Sequence, residues 1–234
     1  MNHRSSYFLA CIIGILTSCG QTTGIETEVS VTQGTSGSHT FKAEIWGDNW
    51  FAFYLGDQLV KEDSVSIRTE RSFNSESFTF KADYPLQLNI VAKDFKENDT
   101  GLEYIGSRRQ QMGDGGIIAQ FTNVDTGEVI AVTDRNWKSF VSHTAPLDVS
   151  CADSSNPVAG EGPCGFVALD EPANWKALDF AGDGWKNATE HSERAVRPKG
   201  GYDTISWNSA AKIIWGADLE KDNTVLLRFT VTKP

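Results

Sequence analysis

The sequence predicts an all-β protein folded as an antiparallel β-sandwich, on the evidence of apolar alternation, regularly spaced turns and the lack of helical periodicity. In residues 41–45 apolar and charged side chains alternate, which is the pattern of a strand with one buried face. Turn sequences such as Gly56-Asp57 and Asp114-Gly115-Gly116 separate segments of this kind. No stretch sustains an apolar period of 3.6 residues. Short strands between turns are typical of a sandwich.

Seven further segments carry the composition of strands, because β-branched and aromatic residues are concentrated in them. They are residues 50–55, 64–69, 77–81, 86–93, 116–122, 129–133 and 225–231. We expect these strands to form two sheets whose inner faces meet in one apolar core. No internal repeat interrupts this pattern.

The N-terminus has the composition of an export signal. Arg4 supplies a positive charge, and residues 7–16 form an apolar stretch that ends in polar and glycine residues. The stretch is shorter than the roughly 20 residues that a spanning helix needs. We therefore expect residues 1–18 to be a cleaved signal peptide.

The residues around the predicted cleavage point resemble the lipobox of bacterial lipoproteins. Leu16, Thr17 and Ser18 precede Cys19, which in such proteins receives the lipid and becomes the new N-terminus. The resemblance implies a domain outside the cytoplasm, anchored to a membrane through Cys19. Without an Asp after the cysteine, the outer membrane or cell surface is the expected location. The alternative is an ordinary secretory signal in which Cys19 is incidental.

The mature chain has the length of one domain behind a linker. Removing the signal leaves 234 − 18 = 216 residues, which suits one large β domain. Residues 19–39 are rich in Thr, Ser and Gly and show little apolar periodicity, so we expect a flexible tether. Residues 40–234 then form the sandwich.

The charge balance disfavours nucleic acid as a partner. The chain has 21 Lys and Arg against 31 Asp and Glu, a formal net charge of −10. An acidic surface repels phosphates, and no basic cluster offers a local exception. The expected partners are a glycan or an envelope protein, together with the lipid bilayer.

Two of the four cysteines are candidates for a disulfide. Cys11 leaves with the signal and Cys19 is assigned to lipid, so Cys151 and Cys164 remain. The residues between them are loop-like, and an oxidising compartment favours a crosslink there. A reduced pair or a metal site is the alternative.

Four motifs resemble those of galactose-binding-domain-like jelly rolls, the sugar-binding-like domains attached to α-L-rhamnosidases and related glycosidases. They are Asp48-Asn49-Trp50 and its strand up to the turn at Gly56, residues 116–138 ending in Thr-Asp-Arg-Asn-Trp-Lys, the loop of residues 175–188, and residues 211–215 before the last strand. The resemblance covers residues 40–234. It implies a jelly-roll sandwich, and it implies carbohydrate binding as one of several roles that such domains serve.

The loop of residues 175–188 departs from that family at the positions that bear on binding. Ala181 and Gly182 stand where acidic residues are usual, and Gly184 replaces a serine. We therefore carry no binding role from the family over to this loop, while the inference about the fold is unaffected.

Nothing in the sequence marks a catalytic site. The three histidines of the mature chain lie in no metal or relay spacing, and no nucleophile elbow, zinc motif or P-loop is present. The sequence predicts a non-catalytic protein without a cofactor. A glycan-active enzyme with an unrecognised site and a structural calcium ion, held by carbonyls and scattered carboxylates, are the alternatives that stay open.

The candidate ligand-binding residues are aromatic and polar side chains in predicted turns and loops, since sugars stack on rings and hydrogen-bond to polar groups. Trp137, Trp185 and Trp215 are expected in the core instead. The candidates can converge only if their loops cluster at one end of the sandwich. They are Trp46, Asp48, Asn49, Arg108, Arg109 and Trp207.

The sequence therefore favours a membrane-anchored, extracytoplasmic, non-catalytic carbohydrate-binding lipoprotein. Its net charge favours a neutral or cationic glycan over an acidic one. The first alternative is a structural or protein-interaction scaffold lipoprotein of the cell envelope.

Overall fold

The computed structural model describes residues 30–31 and 35–233, which contain 16 strands. The predicted signal peptide of residues 1–18 and the predicted lipid site at Cys19 lie outside the described residues. Within the described part of the chain, no helix is long and apolar enough to cross a membrane.

Seven strands form one layer of the sandwich, which we call the front sheet. Its order is β1 (Ser30–Val31), β5 (Asn74–Ala82), β2 (His39–Asp48), β9 (Gly116–Asn123), β15 (Ile213–Trp215) and β14 (Thr189–His191), and β10 (Val129–Val132) also pairs with β9. The pairs are antiparallel except for β1 with β5.

Seven more strands form the second layer, the back sheet. Its order is β12 (Val167–Ala168), β11 (Lys138–Thr144), β16 (Asp222–Val231), β6 (Leu86–Lys93), β3 (Trp50–Leu55) and β4 (Gln58–Glu62), with β13 (Lys186–Asn187) beside β11. A short hairpin joins β7 (Leu102–Glu103) to β8 (Gln111–Met112). The helical elements of the described residues are α1 (Glu193–Val196) and two 3-10 turns, Val149–Asp153 and Tyr202–Thr204.

The apolar alternation of the sequence becomes the interior of this sandwich. Phe41, Ala43 and Ile45 on β2 are fully buried, whereas the intervening Lys42 and Glu44 are only half-buried. The inward residues of β2 join those of β3 and β6, including Phe53 and Ile90, in the main core. The protein is thus an all-β antiparallel sandwich of jelly-roll-like form, as predicted.

Most predicted strands are present with bounds shifted by a few residues at most. The segment of residues 64–69 is the exception, because it is a loop rather than a strand. Its backbone amides bond to nearby side chains instead of a neighbouring strand: Val65 N donates to Asp63 Oδ1, and Arg68 N donates to Ser72 Oγ. Local side-chain acceptors of this kind compete with strand pairing.

The sandwich begins before the predicted boundary at residue 40. β1 pairs with β5 through Ser30 and Val31, and Lys81 N donates to Thr35 Oγ1 at 2.9 Å. Ser38 N donates to Asp83 Oδ1 at 2.8 Å. Residues 30–31, 35 and 38 of the predicted tether therefore pair with or hydrogen-bond to the edge of the front sheet.

Cys151 and Cys164 form a disulfide, as predicted. Both are buried, and they pack in a small apolar cluster against Leu102. Gln110 Nε2 donates to the carbonyl oxygens of Ala152 and Ser154 at 2.8 Å each. The crosslinked loop thereby holds the excursion that contains β7 and β8.

Candidate functional site

Three chain segments meet at one end of the front sheet, where β2 ends and β9 begins. They are the loop after β4 near Glu70, the β7–β8 excursion, and the segment from α1 to Tyr202. Loops held by a rigid sheet are common locations for binding sites. This end of the front sheet is therefore the candidate site.

A cleft of about 420 Å³ opens between these segments, and we call it the aromatic cleft. Its volume lies in the range of small-ligand pockets. Phe73 and Tyr104 give it two aromatic rings, and Asp114 gives it a half-buried carboxylate. The remaining lining residues are polar or charged apart from Gly200: Glu70, Arg71, Glu103, Gln111 and Lys199.

Tyr104 is held in place from two sides. Its hydroxyl donates to Glu70 Oε1 at 2.5 Å, and the Arg109 guanidinium lies 4.1 Å from the ring centroid. Its backbone is left-handed, with φ of 53°, which is uncommon for a residue with a large side chain. The hydrogen bond and the stacked guanidinium fix the ring at the mouth of the cleft.

The opposite wall depends on the two glycines after Lys199. A Cβ on Gly200 would lie 3.0 Å from the Phe73 ring, and one on Gly201 would lie 2.7 Å from Ser75 Oγ. Gly201 also has φ of 88°, which strongly favours glycine. Trp46 Nε1 donates to the carbonyl oxygen of Gly200 at 3.1 Å. The buried tryptophan thus anchors the wall that carries Lys199.

Four carboxyl groups, the inner carboxylates, lie in and behind the cleft: Asp48, Asp94, Glu103 and Asp114. Asp48 and Asp94 are 2% and 3% exposed. Asp48 Oδ2 and both carboxylate oxygens of Asp94 have no hydrogen-bond partner among the described residues. Buried polar atoms without partners are rare in folded proteins and need an explanation.

The inner carboxylates bind protons more tightly than ordinary carboxyl groups do. Burial, with a further contribution from Asp114, raises the pKa of Asp48 to about 7. Burial also raises the pKa of Glu103 to about 6, and burial and then Asp48 raise that of Asp94 well above its usual range. A protonated carboxyl group carries no charge, so the raised pKa values reduce the repulsion among these four acids.

The inner carboxylates do not form a recognisable metal site. Among residues 35–233, no group of three or more His, Cys, Asp or Glu side chains is arranged to hold a metal ion. The structural calcium ion considered from the sequence stays a prediction without an assigned position. The aromatic cleft therefore offers a ligand hydrogen-bond donors and acceptors beside two aromatic rings.

Two further depressions adjoin the aromatic cleft, and we call them the second and the third depression. The second, of about 430 Å³, shares Gln111, Asp114 and Lys199 with it. The third, of about 420 Å³, shares Asp114, Arg197 and Glu220 with the second. All three depressions therefore meet at Asp114.

The three predicted residues of the first turn lie behind the cleft rather than in it. Trp46 is fully buried, so its ring has no face free for a sugar, contrary to the role predicted for it. Asn49 is also buried; its Nδ2 donates to the carbonyl oxygen of Glu70 at 3.0 Å, and its Oδ1 accepts from Phe95 N at 2.6 Å. Asp48 is one of the inner carboxylates. These residues support the cleft from inside the fold.

Of the other three predicted residues, one contacts the lining of the cleft and two lie outside it. Arg109 is exposed and reaches the cleft through Tyr104. Arg108 is exposed and does not line the cleft. Trp207 is half-buried, packs on Tyr202 and donates from Nε1 to its carbonyl oxygen at 3.1 Å, so it lies one ring away from Trp46 and outside the cleft.

Several lining residues were missed in the sequence. Phe73 and Tyr104 occupy loops without strand periodicity, and nothing in their local sequence separates a binding ring from a packed one. Asp114 and Lys199 carry a weak signal, since each precedes a Gly-Gly pair that lets the backbone turn sharply. Such pairs are also common in ordinary turns.

The aromatic predictions for the core are confirmed. Trp137 and Trp215 are fully buried and Trp185 is 9% exposed.

Comparison with known proteins gives no further guide: no protein-family model, no curated protein and no solved structure matches this chain.

Proposed function

We propose that this protein is a membrane-anchored, extracytoplasmic carbohydrate-binding lipoprotein and that the aromatic cleft is its binding site. The observation that carries the proposal is the pairing of two rings, Phe73 and Tyr104, with hydrogen-bonding side chains in one cleft. Sugars need both kinds of surface, because their CH faces are apolar and their hydroxyls are polar. The motifs that resemble galactose-binding-like jelly rolls support the same function.

The lining of the cleft suits a ligand rich in hydroxyl groups. Glu70, Glu103 and Asp114 offer acceptors, while Arg71, Gln111 and Lys199 offer donors. These three acidic and two basic side chains nearly balance in charge, so the cleft does not strongly favour a charged ligand. An open site of this kind gives weak affinity, roughly micromolar to millimolar, because ordering and desolvation offset much of the gain.

The test is a titration of the full-length protein in detergent against a panel of neutral, amino and acidic saccharides, followed by tryptophan fluorescence and calorimetry. We expect binding that Tyr104→Ala weakens roughly fivefold, because a stacked ring contributes on the order of 1 kcal/mol. Leu59→Ala is the matched control, since this 47% exposed residue lies on β4 in the back sheet. Silence of the whole panel at millimolar ligand would favour the envelope scaffold instead.

A second candidate function is hydrolysis of the bound glycan. It is favoured by Glu103, which lines the cleft and whose pKa burial raises to about 6, the range suited to a general acid. Glu103→Gln distinguishes the two functions. If the protein only binds glycans, the variant keeps most of its affinity and neither the native protein nor the variant releases reducing ends. If the protein is a hydrolase, the native protein releases reducing ends, and the variant still binds the glycan but no longer releases them.

The membrane anchor has its own test. Cys19→Ala should move the protein from the detergent phase to the aqueous phase in a phase-partition experiment, because the lipid would no longer be attached. Cys11→Ala, in the predicted signal peptide, is the control and should leave partitioning unchanged. Equal retention of the native and Cys19→Ala proteins in the detergent phase would refute the anchor.

A further inference from the structure

The three depressions adjoin one another around Asp114 at one end of the sandwich, and we call them together the groove. The aromatic cleft and the second depression share Gln111 and Lys199 in their linings, and the second and third depressions share Arg197 and Glu220. Each depression alone has the volume of a small-ligand pocket. A single sugar would occupy one of them and leave two open.

We propose that the groove binds a linear oligosaccharide of three or more sugar units, with one end in the aromatic cleft, Asp114 at the centre, and the other end between α1 and the turn at Leu219. This inference rests on the proposed function and specifies its ligand. The groove is a series of subsites, and each unit of the chain contacts a different part of it.

The composition of the groove fits a chain that is neutral or carries amino groups. Its exposed cations are Arg71, Arg197 and Lys199, and each has an acid nearby. Arg71 Nε lies 3.5 Å from Glu70 Oε1. Lys199 and Arg197 act on Asp114, whose pKa is raised by burial against the opposing effect of these two cations. Asp153, Asp218 and Glu220 add further exposed acids along the second and third depressions. A polyanionic chain would meet more acids than bases there.

The far end of the groove, at the third depression, leaves room for the end of a bound chain. Ala195 lines the third depression with only a methyl group, and it is exposed. It lies in α1, where its amide donates to Ser192 Oγ at 3.2 Å and secures the first turn. A larger side chain at this position would fill the third depression without touching the aromatic cleft.

The experiment is a calorimetric titration of the full-length protein with ladders of one to six units of glucose, galactose, mannose, xylose and glucosamine. For the sugar that binds, we expect affinity to rise at least tenfold between one unit and four, because each occupied subsite adds contacts at little further cost in rigid-body entropy. Equal affinity for one and for four units would overturn the groove and leave the carbohydrate-binding proposal standing. No binding by any ladder would overturn both.

Ala195→Trp then locates the far end. The variant should bind the longest oligomers at least fivefold more weakly than the native protein does, so that its affinity stops rising with chain length. Arg194→Trp is the matched control, because it adds the same ring one residue earlier on the exposed part of α1, outside the three depressions. An unchanged chain-length profile in Ala195→Trp would place the chain elsewhere and refute the groove.

Discussion

Two regions that cover the sandwich differ in how completely their polar groups are satisfied. On the outer side of the back sheet, Trp175 and Trp185 pack with Phe140 and Phe180 in an aromatic cluster, which we call the back cap. At one end of the front sheet, the groove instead lies over the inner carboxylates. In the first region Arg228 Nε is the one buried atom among the described residues without a partner, whereas the second contains three such carboxylate oxygens, on Asp48 and Asp94.

The back cap shows what a structural cover requires. Arg228 donates to the carbonyl oxygens of Phe180 and Ala177 at 2.8 Å each, and Asn89 Nδ2 donates to that of Lys176 at 2.9 Å. These side chains on the back sheet satisfy the carbonyl groups of the covering loop, and the rings fill the space between. The candidate site differs from this ordinary packing in its cluster of three unpartnered carboxylate oxygens on Asp48 and Asp94, rather than in its aromatic residues.

The largest effect should come from removing the centre of the back cap. Trp185 stacks on Phe140 at 5.5 Å and contacts Trp175 and Phe180. Trp185→Ala should lower the free energy of unfolding by about 3 to 5 kcal/mol, because it leaves a large cavity. Urea denaturation measures the loss.

Leu178→Ala in the same loop is the control, since Leu178 is 52% exposed and should change stability by less than about 0.5 kcal/mol. A loss below about 1 kcal/mol for Trp185→Ala would mean that the cap is not part of the cooperative core.

The second effect concerns the support of the groove. Replacing Cys151 and Cys164 together by Ser should lower the free energy of unfolding by about 3 kcal/mol, because the unfolded chain is no longer constrained. It should also loosen the contacts of Gln110 with Ala152 and Ser154. Faster amide exchange in residues 102–112, with unchanged exchange in the back cap, is the expected pattern. Uniform acceleration in both regions would contradict a local supporting role.

Much of the fold follows from the sequence, because strand periodicity is a local signal. The strands over residues 50–55 and 86–93 have the predicted bounds, and the cysteine pair is present. The site was less predictable. Trp46 lies on the polar face of β2, but the segment that ends at Tyr202 covers that face and buries it. Such long-range covering leaves no local pattern, and the same is true of Phe73 and Tyr104.

The third effect is a dependence of stability on pH that belongs to the inner carboxylates. The pKa of Asp48 rises from 3.8 to about 7 on folding, so the folded protein binds this proton more tightly than the unfolded chain does. Its contribution to stability is therefore fully present below pH 3.8 and is lost as pH rises through about 7. Asp48→Asn should gain stability relative to the native protein between pH 4.5 and pH 8, by on the order of 2 kcal/mol.

Asp83→Asn is the control with the opposite sign. Hydrogen bonds from Ser38 hold the pKa of this exposed carboxyl below its usual range, so its contribution is present at neutral pH and is lost as pH falls. Unfolding of the three proteins in urea at both pH values measures the differences. A pH-independent difference between Asp48→Asn and the native protein would show that Asp48 titrates normally in the fold.

The smallest effect separates two adjacent arginines in the groove region. Arg109 lies over the Tyr104 ring, whereas Arg108 does not line the aromatic cleft. Both are exposed, so neither substitution by Ala should change the free energy of unfolding by more than about 0.5 kcal/mol. Arg109→Ala should nevertheless weaken glycan binding about two- to fivefold, because an exposed cation–π contact of about 0.5 to 1 kcal/mol no longer orients the ring. Arg108→Ala should bind like the native protein. Equal losses for the two variants would mean that general positive charge near the cleft, rather than the position of Tyr104, controls affinity.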